Sequence, residues 1–386
     1  MIPYGKQAIS QQDIDSVINV LKSDFLTQGP QVPVFESKIK EATQANHAVA
    51  VNSATSALHL ACLALGLSKG DIVWTTPISF VATANCALYC GADVDFVDID
   101  PCTYNLSADE LETKLIDAKE RNLRLPKIVI PVHLCGQPCE IDKIHALSKT
   151  YGFSIIEDAS HAIGSKYQGS PIGSCKFSDI TVFSFHPVKI ITTAEGGVAT
   201  TNNATLAKKM ASLRSHGITR DDELMTEASH GAWYYQQIEL GFNYRMTEMQ
   251  AALGISQLTR LAKFVDNRNQ LAKYYDNKLR DLPVVLPKQI NDSYSSRHLY
   301  VIKLKLADIK LTHKQVFDAL RIKKIGVNLH YIPIHLQPYY QALGFKVGQF
   351  PEAEKYYEQA ISIPLYHLMS KKEQDTVIQT LSGILV

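Results

Sequence analysis

A chain of 386 residues is long enough for one large domain or two unequal ones. With 46% hydrophobic and 20% charged residues it has an ordinary globular composition, which excludes a disordered or fibrous chain. Lys plus Arg number 39 against 38 Asp plus Glu, a balance that excludes a surface built mainly to coat nucleic acid or anionic lipid.

The opening stretch MIPYGKQAISQQDIDSVI lacks a basic start, an apolar core and a small-residue cleavage site. No window of about eighteen residues is apolar and free of charge. A soluble cytoplasmic protein is therefore expected. From about residue 47 to 202 short β-rich runs alternate with helical ones. His47–Asn52 predicts a strand, Ser53–Leu67 a helix, Asp71–Thr75 a strand and Val81–Tyr89 a helix. Further strands are expected at Val94–Val97, Lys127–Val132, Ser154–Glu157, Ile180–Ser184 and Gly197–Thr200, with helices at Ser107–Arg121 and Glu140–Tyr151. Apolar strands alternating with helices predict an α/β fold around a mostly parallel sheet covered on both faces. Beyond residue 205 the pattern changes. Ala204–Ser215 and Thr247–Leu279 read as helices, the second long enough to bridge two lobes. The strand His298–Leu304, the helix Thr312–Lys323, the stretch Gly326–Tyr331 and a last helix from Lys371 suggest a smaller α+β lobe. The expected division is residues 1–250 for a large domain and 251–386 for a linking helix and small C-terminal domain.

The seven cysteines all lie between Cys62 and Cys175. Cys86/Cys90 and Cys135/Cys139 are four apart, matching neither a zinc knuckle nor a redox C-x-x-C, so buried reduced thiols and no metal site are expected.

Ligands of a parallel α/β sheet bind beyond the C-terminal ends of its strands, which singles out four segments. Asn52-Ser53-Ala54-Thr55-Ser56-Ala57 opens a helix with small and hydroxyl residues, either as ordinary caps or as a site for an anion. In Ile155-Ile156-Glu157-Asp158-Ala159-Ser160-His161 a strand ends on Asp158, which caps a turn or faces a cationic partner. In Ser184-Phe185-His186-Pro187-Val188-Lys189 a lysine enters a largely uncharged run that closes on Glu195-Gly196-Gly197. That lysine is a snorkelling surface residue or an amine of lowered pKa fit for Schiff-base chemistry. Gly241-Phe242-Asn243-Tyr244-Arg245-Met246 precedes a helix with Thr247 as the expected N-cap. Together a strand-end carboxylate, a lysine in an apolar loop and a hydroxyl-rich helix start are the parts needed to hold pyridoxal 5'-phosphate (PLP). Neither G-x-G-x-x-G after the first strand nor G-x-x-x-x-G-K-[ST] is present.

These runs resemble, in order and over nearly the whole chain, the signatures of DegT/DnrJ-type sugar-nucleotide aminotransferases. The resemblance implies the PLP-dependent transferase fold of the aspartate-aminotransferase type (fold type I). Thr76–Asn85 and Asn52–Leu58 are closest to a branch that acts in pseudaminic acid synthesis. The function implied is transamination at C4 of a UDP-linked 4-keto-6-deoxy-N-acetylhexosamine with L-glutamate as donor. Lys189 would bind the cofactor covalently, Asp158 would pair with its pyridine nitrogen, and Phe80 would stack on its ring. His161 stands where many relatives have Gln and would lie near the ring and its 3-oxygen. Ala54, Thr55 and Ser184 would hold the phosphate, with Asn243 reaching the neighbouring subunit's phosphate, so a homodimer follows. Tyr4, Asp24, Phe25, Leu26, Thr27, Asn328, Leu329, His330 and Tyr331 would meet the sugar nucleotide beside Ala54, Ser184 and Asn243. Arg245 and His330 are candidates for the donor carboxylate. The rivals are an enzyme for another 4-keto sugar nucleotide such as a UDP-4-keto-pentose, an amino-acid aminotransferase, and a non-catalytic PLP-binding regulator. A sugar dehydratase of the same family would carry histidine in place of Lys189.

Overall fold

The computed structural model describes Met1–Val386. Two helices precede the first strand, in a segment to which the sequence reading assigns no element. Ser10 caps α1 (Gln11–Leu21) by accepting the Asp13 N–H, and the Asp13 carboxylate accepts the Ser10 N–H in return. The next helix, α2 (Gln31–Thr43), follows Pro30, which has no side chain to cap it. Its first donors are taken instead by Glu248, whose carboxylate accepts Gln31 N–H at 2.6 Å and Val32 N–H at 3.3 Å.

The chain then alternates as expected: β1 (His47–Val51), α3 (Ala54–Ala64), β2 (Ile72–Thr75), α4 (Ala82–Tyr89), β3 (Asp93–Phe96), α5 (Ala108–Glu120), β4 (Ile128–Ile130), α6 (Ile141–Tyr151), β5 (Ser154–Asp158), β6 (Ile180–Ser184) and β7 (Gly197–Thr201). These seven strands form one sheet in the order β1-β7-β6-β5-β4-β2-β3. β7 runs antiparallel to both its neighbours, and every other pairing between adjacent strands is parallel. Val51 and Ser184 both lie opposite Gly197, and Asp158 lies opposite Val182. The ends of β1, β5 and β6 and the start of β7 therefore share one edge of the sheet. Apolar clusters pack on both faces, as continuous hydrophobic strands require. The helices and mostly parallel sheet are those of the type I transferase fold.

The second part of the chain departs from the sequence reading in one element. The expected helix Thr247–Leu279 is two helices, α8 (Glu248–Leu258) and α9 (Leu261–Leu279), after α7 (Ala204–Arg214). The break falls where Thr259 turns its hydroxyl back to the Ser256 carbonyl (2.6 Å) and Arg260 leaves the helical path to reach Asp13. Beyond it β8 (Val284–Val285), β9 (Tyr300–Leu304), α10 (His313–Ile322), α11 (Pro338–Ala342), α12 (Pro351–Gln359), β10 (Ala360–Ile363) and α13 (Lys371–Leu385) follow. β9 is the centre of a three-stranded antiparallel sheet between β8 and β10, over a core of its own. Gly326–Tyr331 holds no regular strand: Ile325 bridges Ile2 and Asn328 bridges Ser362 singly. Gly326 is glycine because a Cβ there would lie 2.8 Å from the Ile2 carbonyl, so the N-terminal segment is pressed onto this lobe.

Asp13 is fully buried and ties α1 to α8. Its carboxylate accepts Ser256 Oγ (2.6 Å), Gln257 Nε2 (2.8 Å) and the Arg260 guanidinium (2.7 Å). Burial alone would raise the acid, but hydrogen bonds from the Ser10 N–H and these side chains outweigh it and hold the carboxyl below its usual range. Its contribution to stability is therefore full above a pH of about 4 and is lost as the carboxylate is protonated in acid. Asp13→Ala strands the buried donors, and urea unfolding should show a loss of about 3 kcal/mol. An unchanged midpoint and slope would mean that the network is dispensable.

Candidate active site

The first part of the site is the start of α3. Ser53 is its N-cap and accepts the Ser56 N–H at 3.1 Å, while Asn52 Oδ1 accepts the Ser56 hydroxyl at 2.7 Å. With Ser56 so occupied, the Ala54 and Thr55 N–H groups are the first helical donors and have no intrahelical acceptor. Gly197 lies directly against this turn: a Cβ there would sit 2.5 Å from the Ala54 nitrogen and from the Ser53 carbonyl. Ser184 lies opposite Gly197 in the sheet. The arrangement is a backbone cradle at a helix N-terminus, suited to a phosphate.

Asp158, at the end of β5, is 4% exposed. One carboxylate oxygen accepts the Thr83 hydroxyl (2.7 Å), which is itself in contact with Ser79 Oγ (2.7 Å). The other accepts the Ser160 N–H (3.1 Å) and hydroxyl (2.5 Å). A buried carboxylate needs such donors, and these fix its direction from α4 on one side and its own turn on the other.

Lys189 stands in the loop between β6 and β7, and that loop is stapled rather than loose. Phe185 N–H donates to the Gly196 carbonyl, while the Thr193 N–H and Thr192 hydroxyl both donate to the Phe185 carbonyl at 2.9 Å. Buried Ile190 and Ile191 anchor the apolar side. Burial pushes the Lys189 ammonium down to about 8, with the Asp158 carboxylate opposing the shift. Only the free amine attacks an aldehyde, so capture of PLP by the apoenzyme should accelerate as pH rises through about 8 and then level off. Stopped-flow absorbance checks this; a rise near the ordinary lysine value of about 10.4 would mean the amine is solvated.

An aromatic and imidazole group, with His161 and His330 buried, gathers near this lysine. His161 Nδ1 accepts the Cys135 N–H at 3.2 Å, so in the neutral ring the proton sits on Nε2, 3.2 Å from the Tyr331 hydroxyl. Burial first, and then the Lys189 and His330 charges, keep His161 well below the usual imidazole range. His330 is lowered to about 4 by burial and Lys189, with Nδ1 on Ser362 Oγ at 2.8 Å and Nε2 at 3.3 Å from Asn328 Nδ2. Tyr4 packs on His330 with ring centroids 5.3 Å apart, and Phe80, 59% exposed, lies 6.2 Å from Tyr331. Leu329 follows Asn328, whose side-chain oxygen accepts the Leu329 N–H at 2.9 Å.

The structure thus brings Phe80, Asp158, His161, Lys189, Tyr4 and Asn328–Tyr331 into one contiguous group beside the α3 cradle. Asn243 does not join it within this chain: it is exposed and pairs by its backbone with Ser215. Asp24, Phe25, Leu26 and Thr27 gather instead at the start of α8, where Leu26 accepts the Glu248 N–H and Thr27 bridges Thr247. Sequence reasoning missed Ser79 and Thr83, the donors behind Asp158, and His298, whose ring lies 4.3 Å from that of His161. Thr83 sits in an ordinary helical pattern and gave no signal; the polar run Ser295-Ser296-Arg297-His298 ahead of β9 could have been noticed.

A half-buried lysine, a buried carboxylate and a helix N-terminus gather at one sheet edge, the parts a PLP site requires. The DegT/DnrJ/EryC1/StrS aminotransferase family matches residues 7–382, and the chain belongs to that family of PLP-dependent enzymes. It is 39% identical over 386 residues to the UDP-4-amino-4,6-dideoxy-N-acetyl-beta-L-altrosamine transaminase of Campylobacter jejuni, covering 100% of this chain and 98% of the relative. Among solved structures it is similar to Helicobacter pylori PseC, an aminotransferase involved in the biosynthesis of pseudoaminic acid, with a TM-score of 0.90, 32% identity and coverage of 100% and 99%. A sugar aminotransferase of Streptococcus pneumoniae in its PLP form aligns with a TM-score of 0.88, 29% identity and coverage of 99% and 98%. The protein is therefore an aminotransferase with PLP as its cofactor.

Proposed function

We propose that the enzyme transfers the amino group of L-glutamate to C4 of a UDP-linked 4-keto-6-deoxy-N-acetylhexosamine, as in pseudaminic acid biosynthesis. What supports the transamination chemistry is Lys189, whose ammonium burial lowers to about 8 within the field of the Asp158 carboxylate at the end of β5. The full-length similarity to the Campylobacter transaminase supports the choice of sugar.

PLP, when bound, supplies the electron sink for removing a proton from the donor's α-carbon. In this reading Ala54 and Thr55 N–H groups and Ser184 bind its phosphate, and Lys189 holds its aldehyde. Asp158, fixed by Thr83 and Ser160, keeps the ring nitrogen protonated. Phe80 would lie against the ring, and His161, whose Nε2 faces the Tyr331 hydroxyl, would stand near the 3-oxygen. As a free amine, Lys189 would take up and return the proton of the donor's α-carbon, a role that a pKa of about 8 suits. His330 stays uncharged near neutrality and, with Tyr4, Asn328, Leu329 and Tyr331, forms the wall offered to the sugar. Asp24–Thr27 would complete the sugar-nucleotide site together with a partner subunit.

A homodimer with shared sites is part of this proposal, since Asn243 is exposed and free to reach a neighbour's phosphate. Asn243→Ala should weaken PLP binding at the partner's site. Mixed dimers of Asn243→Ala and Lys189→Ala subunits should then regain part of the activity, and absence of any complementation contradicts sharing. We also take residues 1–250 as the cofactor-bearing domain and 251–386 as linking helix and small domain, because α9 contributes Phe264 to one core and Tyr275 to another. A cytoplasmic location fits seven unpaired cysteines and the absence of any helix long and apolar enough to cross a membrane. The substrate is tested by incubating the holoenzyme and glutamate with a panel of UDP-4-keto sugars and reading the aminated product by mass spectrometry. Preference for a UDP-4-keto-pentose over the N-acetylhexosamine would overturn the choice of sugar while leaving the transamination intact.

A further inference from the structure

The stretch Asn328–Tyr331 rests on a residue that the chemistry above does not use. β10 reads Ala360-Ile361-Ser362-Ile363, and all four of its residues are buried. A hydroxyl in such a strand costs free energy unless it is paired. The Ser362 hydroxyl has one side-chain partner, His330 Nδ1 at 2.8 Å. The two backbones are also locked together: Asn328 N–H donates to the Ser362 carbonyl (3.1 Å) and Ser362 N–H to the Asn328 carbonyl (2.8 Å). From α12, the buried Tyr356 hydroxyl donates to the His330 carbonyl at 2.7 Å. With the main chain so held, what remains to be set is which side-chain atoms donate and which accept.

One backbone N–H decides this. Leu329 N–H can only donate, so the Asn328 atom that meets it at 2.9 Å is the carbonyl Oδ1. Asn328 Nδ2 therefore lies toward His330 Nε2, 3.3 Å away, and that ring nitrogen must accept. The ring proton is then on Nδ1, where the Ser362 oxygen accepts it. The opposite tautomer would set an Nε2 proton against an amide proton. Burial keeps the ring uncharged near neutrality, so no second proton disturbs the arrangement. One Asn328 amide hydrogen is spent on His330. The other has no partner in the chain, and Asn328 is only half-buried.

We propose that Ser362 is a positioning residue for the amino acceptor: it fixes the His330 tautomer, which turns the Asn328 amide so that its free hydrogen meets an acceptor oxygen of the sugar nucleotide. This rests on the reading of Asn328–Tyr331 as the wall offered to the sugar. It adds the chemistry of the group recognised there, a carbonyl or phosphoryl oxygen rather than a hydroxyl acting as donor. Without the Ser362 hydroxyl, the Nδ1 proton is buried and has no acceptor, a cost that favours moving it to Nε2. An Nε2 proton then draws Asn328 Oδ1 toward the ring, breaks its bond with Leu329 N–H and takes the donor away from the substrate. The lysine, the carboxylate and the phosphate cradle are untouched by this change.

The test has two readouts on the PLP-loaded enzyme. In the first, histidine labelled in its ring nitrogens is read by NMR, with the His330 signals assigned by their loss in His330→Gln. His330 should carry its proton on Nδ1 and leave Nε2 bare at neutral pH; a proton on Nε2 overturns the proposal. In the second, the two half-reactions are followed separately. Ser362→Ala should bleach with glutamate at the wild-type rate, while KM for whichever UDP-4-keto sugar the wild type aminates rises by about tenfold, the scale of one hydrogen bond. Ser362→Thr, which keeps the hydroxyl, should recover most of that loss. Equal slowing of both half-reactions, or a threonine variant no better than alanine, shows a merely structural role and overturns the proposal. If Ser362→Ala does not fold, Asn328→Asp takes its place: a carboxylate can only accept, so the ring proton should move to Nε2 and the same KM should rise. A proton that stays on Nδ1 in that variant contradicts the coupling. The spectra are recorded without sugar nucleotide, so a misplaced proton is told apart from a misassigned substrate.

Discussion

Lys189→Ala should reduce glutamate-dependent turnover by on the order of 10⁴-fold or more, because one substitution removes both the amine that holds the cofactor and the group that moves the proton. The loop itself should survive. Its geometry is set by the hydrogen bonds of Phe185, Thr192, Thr193 and Gly196, none of which uses the lysine side chain. Circular dichroism and the urea midpoint should therefore match the wild type, while the absorption band of lysine-bound PLP disappears. Added small amines should recover part of the rate, since they can supply a proton carrier without the tether. Near-normal turnover in the variant would show that another residue carries the chemistry.

Asp158→Asn is expected to cost roughly 10³-fold in rate, the scale of losing one buried electrostatic contact to charge that develops during reaction. The amide retains the shape of the carboxylate, and Ala54, Thr55 and Ser184 do not depend on it, so PLP should still bind. An amide cannot hold a proton on the pyridine nitrogen, and the electron sink is weakened for that reason. The substitution also faces Thr83 and Ser160 with an NH₂ group in place of one acceptor oxygen, and a modest loss of stability should accompany it. Comparison with Thr83→Val separates the two effects: that variant keeps the charge and loses only one hydrogen bond to it, so its loss of rate should be far smaller. Equal losses in the two variants would mean that Asp158 acts by orientation alone.

The alternating strands and helices of residues 47–202 were legible because fully buried strands leave continuous apolar runs, and the element ends differ from expectation by only a few residues. Less was legible where tertiary contacts decide. α2 owes its first turn to Glu248, more than two hundred residues away, and no local cap marks it. The kink at Thr259–Arg260 exists because Arg260 is drawn to Asp13, again a distant partner, so the periodicity of Thr247–Leu279 runs through it unbroken. β10 is hidden because Ala360–Ile363 follows α12 without a turn signal and becomes a strand only by pairing with β9. In the site, Lys189 and Asp158 were visible as chemistry-bearing residues at strand ends. Their supporting groups were not: Thr83, Ser79 and His298 are ordinary residues in ordinary patterns until the fold turns them toward the carboxylate and His161. The thiols illustrate the same limit. The spacing of Cys86 and Cys90 suggested buried reduced sulfur, and only the packing of α3 on α4 brings Cys62 against Cys86.

The measurement that tests the account most directly is the absorbance spectrum of the PLP-loaded enzyme before and after L-glutamate is added, in the absence of any sugar. The account predicts a visible band from the lysine-bound cofactor that bleaches as the amino group is taken up and 2-oxoglutarate appears in equal amount. A UDP-4-keto-6-deoxy-N-acetylhexosamine added next should restore the band. A protein that binds PLP through Lys189 but leaves the band unchanged under saturating glutamate, with no 2-oxoglutarate formed, would contradict it.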